Sequence, residues 1–457
     1  MTSRPTAFAW VLGAKPSHRR LAAALLVGSM AAAACWAGLA SPVAARASAV
    51  AVFCLALWLG ESVRPWVPTV LLLAVIPALL GPLDPGLGWR PILRWLAEPV
   101  LALFLGGFAM GVAAGRAGLD QIVGQLAVRW AGGSVLRLLF LTGGATAVLS
   151  MWMSNVAAAA MMFAVVRPVL ARWPADAPVR RGLLMAVAMG ANFGGIATPI
   201  GTGPNGLAIA ALEERHPISF LHWMSFALPL AVLMTMAALA AVAWRFRVGG
   251  TLAGHRDGPV SPSARGRALI ALFGVTIALW LTESLHGSAA WKVALASTAV
   301  LVTGGFLRPA DWLRIDWSTL LLVAGGIVLG RLLEQAGVVP LLTAAALPDS
   351  LPAGLRLAAL CGASALLSSL MSNTATAALL IPLAVTLSPS PAAPVLVALA
   401  ASMGVPFVIS TPPNAMAFGE GGLRTKDLLV PGLVLMLGGV ALVAFAGPHV
   451  LDRLGVP

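Results

Sequence analysis

From Leu21 to its C-terminus the chain returns again and again to apolar stretches of about 20 residues, the length a helix needs to cross a bilayer. Hydrophobic residues make up 59% of it and charged residues only 10%, where a soluble domain carries about a quarter charged. Helices are expected near 21–40, 47–62, 66–82, 96–115, 182–212, 218–246, 266–284, 289–306, 316–334, 391–420 and 425–450. The fold class that follows is an all-α polytopic membrane protein with about eleven transmembrane helices.

Placement explains the net charge of +13. Lys and Arg lie in short loops between apolar runs and form no basic face interleaved with aromatics, so nucleic acid is excluded as a partner. Cys35, Cys54 and Cys361 are scattered through apolar context without ligand spacing and read as small core residues. Arg4, Lys15, Arg19 and Arg20 precede the first apolar run, which has no convincing cleavage site. That run is expected to stay as a first helix, with the N-terminus in the cytoplasm.

Two runs, 135–170 and 353–387, are of another kind. Each is long enough for two half-length helices and carries a Ser-Asn pair at its middle, Ser154-Asn155 and Ser372-Asn373. Treated as re-entrant hairpins, they leave 21 of the 29 Lys and Arg on the cytoplasmic side. A single crossing at 135–170 would place the basic 245–267 loop outside, against the positive-inside rule. Two hairpins are therefore expected.

The chain also repeats itself. Gly106-Gly107, Gly111 and Ala117-Gly118 recur as Gly325-Gly326, Gly330 and Ala336-Gly337, offset by 219. Ser154-Asn155 recurs at Ser372-Asn373 and Pro204-Asn205 at Pro413-Asn414. Each unit has five spans and a hairpin, and an odd number of spans turns the second copy upside down. This is the inverted-repeat plan of secondary transporters. The expected division is an N-terminal segment and first helix (1–46), a first repeat (47–246), a cytoplasmic linker (247–265) and an inverted second repeat (266–457). Polar residues at helical spacing from Arg116 to Arg129 suggest a helix along the cytoplasmic surface, with an outer copy near 331–348.

A broken helix at membrane depth must be buried or line a cavity, because its peptide groups cannot face lipid. There its N-termini offer free N–H groups and its unwound carbonyls face a cation. Ser150, Ser154 and Asn155, with carbonyls from the break around Thr198, Gly201 and Asn205, are candidate ligands for one Na⁺. Ser368, Ser372 and Asn373, with carbonyls from Ser410 to Asn414, are candidates for a second. Small residues also serve plain helix packing, but two motifs at equivalent places in a duplicated unit favour function. The expected spans hold no Asp, Glu or His at mid-depth, which favours a metal cation over a proton relay. No nucleotide loop and no nucleophile–base grouping stands out, so an enzyme is not expected.

At these residues the sequence resembles the divalent anion/sodium symporter family, the sodium-coupled dicarboxylate, citrate and sulfate carriers, from about residue 50 onward. Ser154-Asn155, Ser372-Asn373-Thr374 and Thr411-Pro412-Pro413-Asn414 carry the likeness. The resemblance implies eleven spans, two hairpins with Ser-Asn-Thr tips, a homodimer and an elevator-like transport domain. It implies sodium at Ser150, Ser154, Asn155, Ser368, Ser372 and Asn373, and substrate at Asn155, Val156, Asn373, Thr374, Thr411 and Pro412. Val156 stands where the family has Thr, and Gly203 where it has the first Pro of Pro-Pro-Asn.

The expected protein is thus a multi-pass transporter of the cytoplasmic (inner) membrane. It would import a small divalent anion, a C4-dicarboxylate first, together with Na⁺ and without an organic cofactor. The alternatives are a sodium-independent exchanger and a carrier of sulfate or another oxyanion.

Overall fold

A computed structural model describes residues 22, 25–30, 32–34, 41–60, 63–214, 216–251, 262–338, 352–388 and 390–455. Of the expected first helix, residues 22, 25–30 and 32–34 are described and are helical, while 252–261 of the linker and 339–348 of the outer segment lie outside these residues. In the first half the helices are α1 (Pro42–Leu59), α2 (Val67–Leu79), α3 (Trp89–Trp95), α4 (Pro99–Arg116), α5 (Leu119–Trp130), α6 (Val135–Ser150), α7 (Asn155–Leu170), α8 (Pro178–Gly194), α9 (Gly203–Leu212) and α10 (Phe220–Phe246). In the second they are α11 (Ala264–Leu281), α12 (Ala290–Thr303), α13 (Trp317–Gln335), α14 (Ala353–Leu370), α15 (Asn373–Leu387), α16 (Ala393–Ala401), α17 (Pro412–Gly419) and α18 (Thr425–Ala441), which continues to Arg453.

Among the described residues six helices, α4, α10, α11, α13, α14 and continued α18, are long and apolar enough to cross a membrane. Prolines 42, 99 and 178 open α1, α4 and α8, where the missing N–H has no helical partner to lose. The expected spans 182–212 and 391–420 are both broken, into α8 and α9 and into α16 and α17. The hairpin arms are longer than half-membrane helices, at 16, 16, 18 and 15 residues. At 1.5 Å per residue they reach roughly 22–27 Å, so tips at mid-depth require tilted arms that start near the headgroups.

Ion pairs identify which helix ends share a face. Asp427, wholly buried in the first turn of α18, bonds Arg181 of α8 at 3.0 Å and Arg245 of α10 at 3.2 Å. Arg167, near the end of α7, pairs with Glu420 at 2.6 Å, and the Glu420 carbonyl accepts from Arg180 at 2.9 Å. The Val135 N–H at the start of α6 donates to the Gly250 carbonyl, just beyond α10, at 3.2 Å. Both ends of 135–170 therefore lie where α8 begins and α10 ends, and the run enters and returns.

The two Gly-Gly helices run in opposite directions. Arg116 at the end of α4 pairs with Asp311, just before α13, at 3.0 Å. Arg331 in the last turns of α13 pairs with Glu98, just before α4, at 3.2 Å. Equivalent helices of the two copies are thus antiparallel, which is the expected inversion. The glycine pairs divide their work between two sides. Gly106 faces α12, where an added Cβ would stand 2.6 Å from that of Ala294, and Gly325 is pressed against Thr69 of α2. Gly107 instead faces Ile200 of the first break, and Gly326 faces Ala378 of α15 and Leu207 of α9.

Candidate functional site

The four-residue turn between α6 and α7 holds the first tip. Ser154 is the cap of α7, its Oγ accepting from the Ala157 N–H at 3.3 Å, so part of its role is to end an orphaned helix terminus. Ser150, fully buried, donates to the Ala191 carbonyl of α8 at 2.7 Å. One amide atom of Asn155 sits 2.7 Å from Ser150 Oγ, 3.1 Å from the Gly201 carbonyl oxygen and 3.2 Å from that of Ala191. With protein atoms alone that atom is the nitrogen, since three acceptors surround it.

The second tip, on a shorter two-residue turn, repeats the serine bonds of the first. Ser372 caps α15, accepting from Ala375 N–H at 3.2 Å. Ser368, also fully buried, lies 2.7 Å from Asn373 Oδ1 and donates to the Ala401 carbonyl of α16 at 2.6 Å. The breaks match too. Asn205 Nδ2 donates to the Gly195, Ile196 and Thr198 carbonyls at 3.1, 3.2 and 2.8 Å, and Asn414 Nδ2 to those of Val405 and Phe407 at 3.1 Å each. Each Pro-Asn pair is therefore a clamp that holds an unwound segment by its orphaned carbonyls. Thr198 Oγ1 donates to the Met151 carbonyl in the first tip, and Ser410 Oγ to that of Ser369 in the arm before the second tip at 2.9 Å, tying each break to its own hairpin.

Each tip packs on the break of the other copy: α15 on α9, and α7 on α17. Thr374 lies directly over Gly203, where an added Cβ would stand 2.6 Å from Thr374 Cγ2. Asn192 of α8 donates to Asn414 Oδ1 at 2.9 Å, a buried amide pair that joins the halves. Among the described residues no hydrogen bond joins Asn155 to Asn373 directly.

The sequence-derived residues fall into three sets. Ser150, Asn155 and Gly201 come together as one oxygen cluster, and Ser368 and Asn373 as its mate. Ser154, Ser372, Thr198 and Ser410 are adjacent but already engaged as caps and ties. Of the residues assigned to substrate, Val156 (39% accessible) and Pro412 are exposed, while Thr374 and Thr411 are buried. Thr411 caps α17, accepting from Asn414 N–H at 3.4 Å. Sequence reasoning missed the Ala191 and Ala401 carbonyls, which carry no side-chain signal. It also missed Asn192, whose amide in an apolar run was a signal available to it.

Two cavities lie toward opposite ends of α13, one of them at the first tip. One, of 380 Å³, lies between α13 and α15, with Glu214, Arg331 and Glu334 among its lining residues. The other, of 280 Å³, lies between α4 and the first tip and reaches Ser154.

A family model described as a citrate transporter (CitMHS) matches residues 55–402. A Haemophilus influenzae protein named "Uncharacterized transporter" is 26% identical over 442 residues, spanning 89% of this chain and 92% of its own. The inorganic phosphate transporter PHO87 of Saccharomyces cerevisiae is 27% identical over 420 residues, or 87% of this chain and 45% of that protein. The sodium-dependent dicarboxylate transporter SdcS of Staphylococcus aureus is 25% identical over 441 residues, spanning 84% and 82%. Among solved structures, the YdaH transporter of Alcanivorax borkumensis shares the fold, with a TM-score of 0.55 at 16% identity over 84% of this chain and 98% of its own.

Proposed function

The chain belongs to the citrate transporter (CitMHS) family, whose members are multi-pass membrane transporters and not enzymes, and on that premise we propose that it imports a small divalent anion together with Na⁺. The observation that carries the proposal is the Asn155 amide, surrounded by three oxygens at 2.7–3.2 Å. Oxygen ligands of this kind suit a hard cation, and the matching cluster at Ser368 and Asn373 supplies a second place. Neither tip carries a charge of its own, so an anion there gains its counter-charge from bound sodium and from helix N-termini. Sodium and anion then stabilise each other, which is the coupling a symporter requires. The relatives named for dicarboxylate and for phosphate both lie within this substrate class, a C4-dicarboxylate being the first candidate.

An elevator motion has support in the packing. Gly111 and Gly115 of α4 lie under Met153 and Met161 of the first hairpin, and Gly330 of α13 lies under Pro382 of α15. Helix faces without side chains present no ridges to interlock, so a hairpin can shift along them at small cost. The test is uptake of labelled succinate and phosphate into proteoliposomes with and without an inward Na⁺ gradient. Gradient-driven uptake supports the symporter. Counterflow indifferent to sodium would make it an exchanger, and no flux of either anion would overturn the proposal.

A further inference from the structure

The cavity beside the first tip has a chemical direction that its mate lacks. Its lining includes Gly111 and Gly115 of α4, Ser154 at the tip, and Arg116, Arg314 and Asp316 toward the end where α4 finishes. Arg116 is committed: it donates to the Phe306 carbonyl at 2.9 Å and to Asp311 at 3.0 Å. Asp316 is committed as well, capping α13 by accepting from Thr319 N–H at 3.0 Å and Thr319 Oγ1 at 2.9 Å. Arg314 is exposed and has no carboxylate within ion-pair distance among the described residues. Its field still reaches its neighbours. The Asp311 carboxyl is held below the usual carboxylate range, chiefly by the Arg308 backbone N–H and further by Arg116 and Arg314.

The cavity on the other face also has an arginine, but a neutralised one. Arg331 donates to Glu98 at 3.2 Å and to Glu214 at 2.9 Å, with Glu334 in the same lining. The internal repeat thus makes two matching openings. One presents an uncommitted cation and the other a cation surrounded by carboxylates. The first lining sets two arginines against one carboxylate, Asp316, and the second sets one arginine against two glutamates, so the first is the more favourable surrounding for a small anion.

We propose that the cavity between α4 and the first hairpin is an anion-binding vestibule, in which Arg314 holds a small divalent anion transiently on its way between the Ser154–Asn155 tip and the membrane face that carries the 308–314 turn. This rests on the reading of the chain as an anion transporter, but it adds a site that works without sodium. The tip packs on α4 at Gly111, where Met153 lies against it, and from there to Arg116 is five helical steps, about 7.5 Å, so an anion at the mouth is beyond hydrogen-bond reach of the tip.

The experiment places a reporter thiol in the vestibule with Val112→Cys in a Cys35→Ser background, in which the remaining Cys54 and Cys361 are buried. Reconstituted full-length protein is treated with N-ethylmaleimide, which is uncharged and does not depend on Arg314 for its approach. Choline replaces sodium, and phosphate or succinate is added. The expected result is a modification rate lowered about tenfold by the anion. The protection should weaken as inert salt is raised and vanish in Val112→Cys/Arg314→Gln. Protection that needs sodium, or that survives Arg314→Gln, would overturn the vestibule. The transport reading is judged separately, by sodium-driven uptake in the unmutated protein.

Discussion

Replacing Gly203 by Ala should break the closure of the second tip, although a local view of the helix predicts the opposite. Gly203 is the first residue of α9, and Ala there gains about 0.5–1 kcal/mol in helix propensity and lost chain entropy. The tertiary contact decides the sign. An added Cβ would stand 2.6 Å from Thr374 Cγ2 and 2.9 Å from Thr374 Cβ, with Oγ1 nearer still. Carbon atoms in contact rest about 3.5–4.0 Å apart, so α9 and α15 must separate by about 1 Å. Both residues are buried, with no solvent to move into. Overpacking of this kind costs about 1–3 kcal/mol, more than the local gain.

The functional loss should exceed the loss of stability. A tip moved by about 1 Å no longer presents its Asn373 and Thr374 donors at hydrogen-bond distance. Losing one hydrogen bond to a charged group costs about 1.5–3 kcal/mol, or roughly 10- to 100-fold in apparent affinity. The assay is the KM for sodium-driven uptake, read beside the melting temperature in detergent. Adding Thr374→Ser to Gly203→Ala removes Cγ2 and should recover part of the melting temperature. A Gly203→Ala protein that melts no lower than the parent and transports with unchanged KM would refute the contact.

Asn155→Ala and Asn373→Ala should each abolish sodium-driven uptake while the protein still reaches the membrane; retained uptake in either would move the site elsewhere. Val156→Thr restores a hydroxyl at an exposed position of the first tip and should change the ranking of anions in competition assays, and an unchanged ranking would remove residue 156 from the substrate's surroundings. Asn192→Leu leaves Asn414 Oδ1 buried without its donor and should lower stability by about 1–3 kcal/mol in detergent unfolding; an unaltered transition would mean the halves do not depend on this pair. Asp311→Asn should lower the melting temperature at neutral pH. Because the folded carboxyl is depressed, its stabilisation is present above the unfolded value of about 3.9 and is lost as pH falls through the lower folded value. The gap between variant and parent should therefore close only in that acid range, and a gap that closes near pH 6 would point to another group.

The hairpin at 135–170 was legible because topology leaves its mark in loop charge. Arg167, Arg180, Arg181 and Arg245 had to share a face for the positive-inside count to hold, and Glu420 and Asp427 bring all four to that face. The candidate ligands Ser150 and Ser368 were legible through repetition, and each donates to a carbonyl of the helix that leads into its break. The acceptors of those bonds were not, because a backbone carbonyl of Ala191 or Ala401 looks like any other. Arm length was misjudged for a similar reason, since apolar composition gives the length of a segment but not its tilt.

Gly203 shows where sequence reasoning runs out most clearly. Its departure from the Pro-Pro-Asn pattern is plain in the sequence, but the residue it packs against, Thr374 on the opposite copy, is not. Inversion of the repeat turns each tip toward the break of the other half, so the partners of Val156 and Gly203 are set by the topology and not by nearby sequence. A consequence follows for the evolution of such sites. A change at one break alters the packing of the opposite tip, so the two halves can drift from strict symmetry only in matched steps. At the Gly203–Thr374 contact an added Cβ would press on the opposite tip, so a step there needs its partner to change too. The α7–α17 contact, where Val156 and Pro412 are both exposed, offers room for another, and anion preference should be easier to alter there than at the closed Gly203–Thr374 contact.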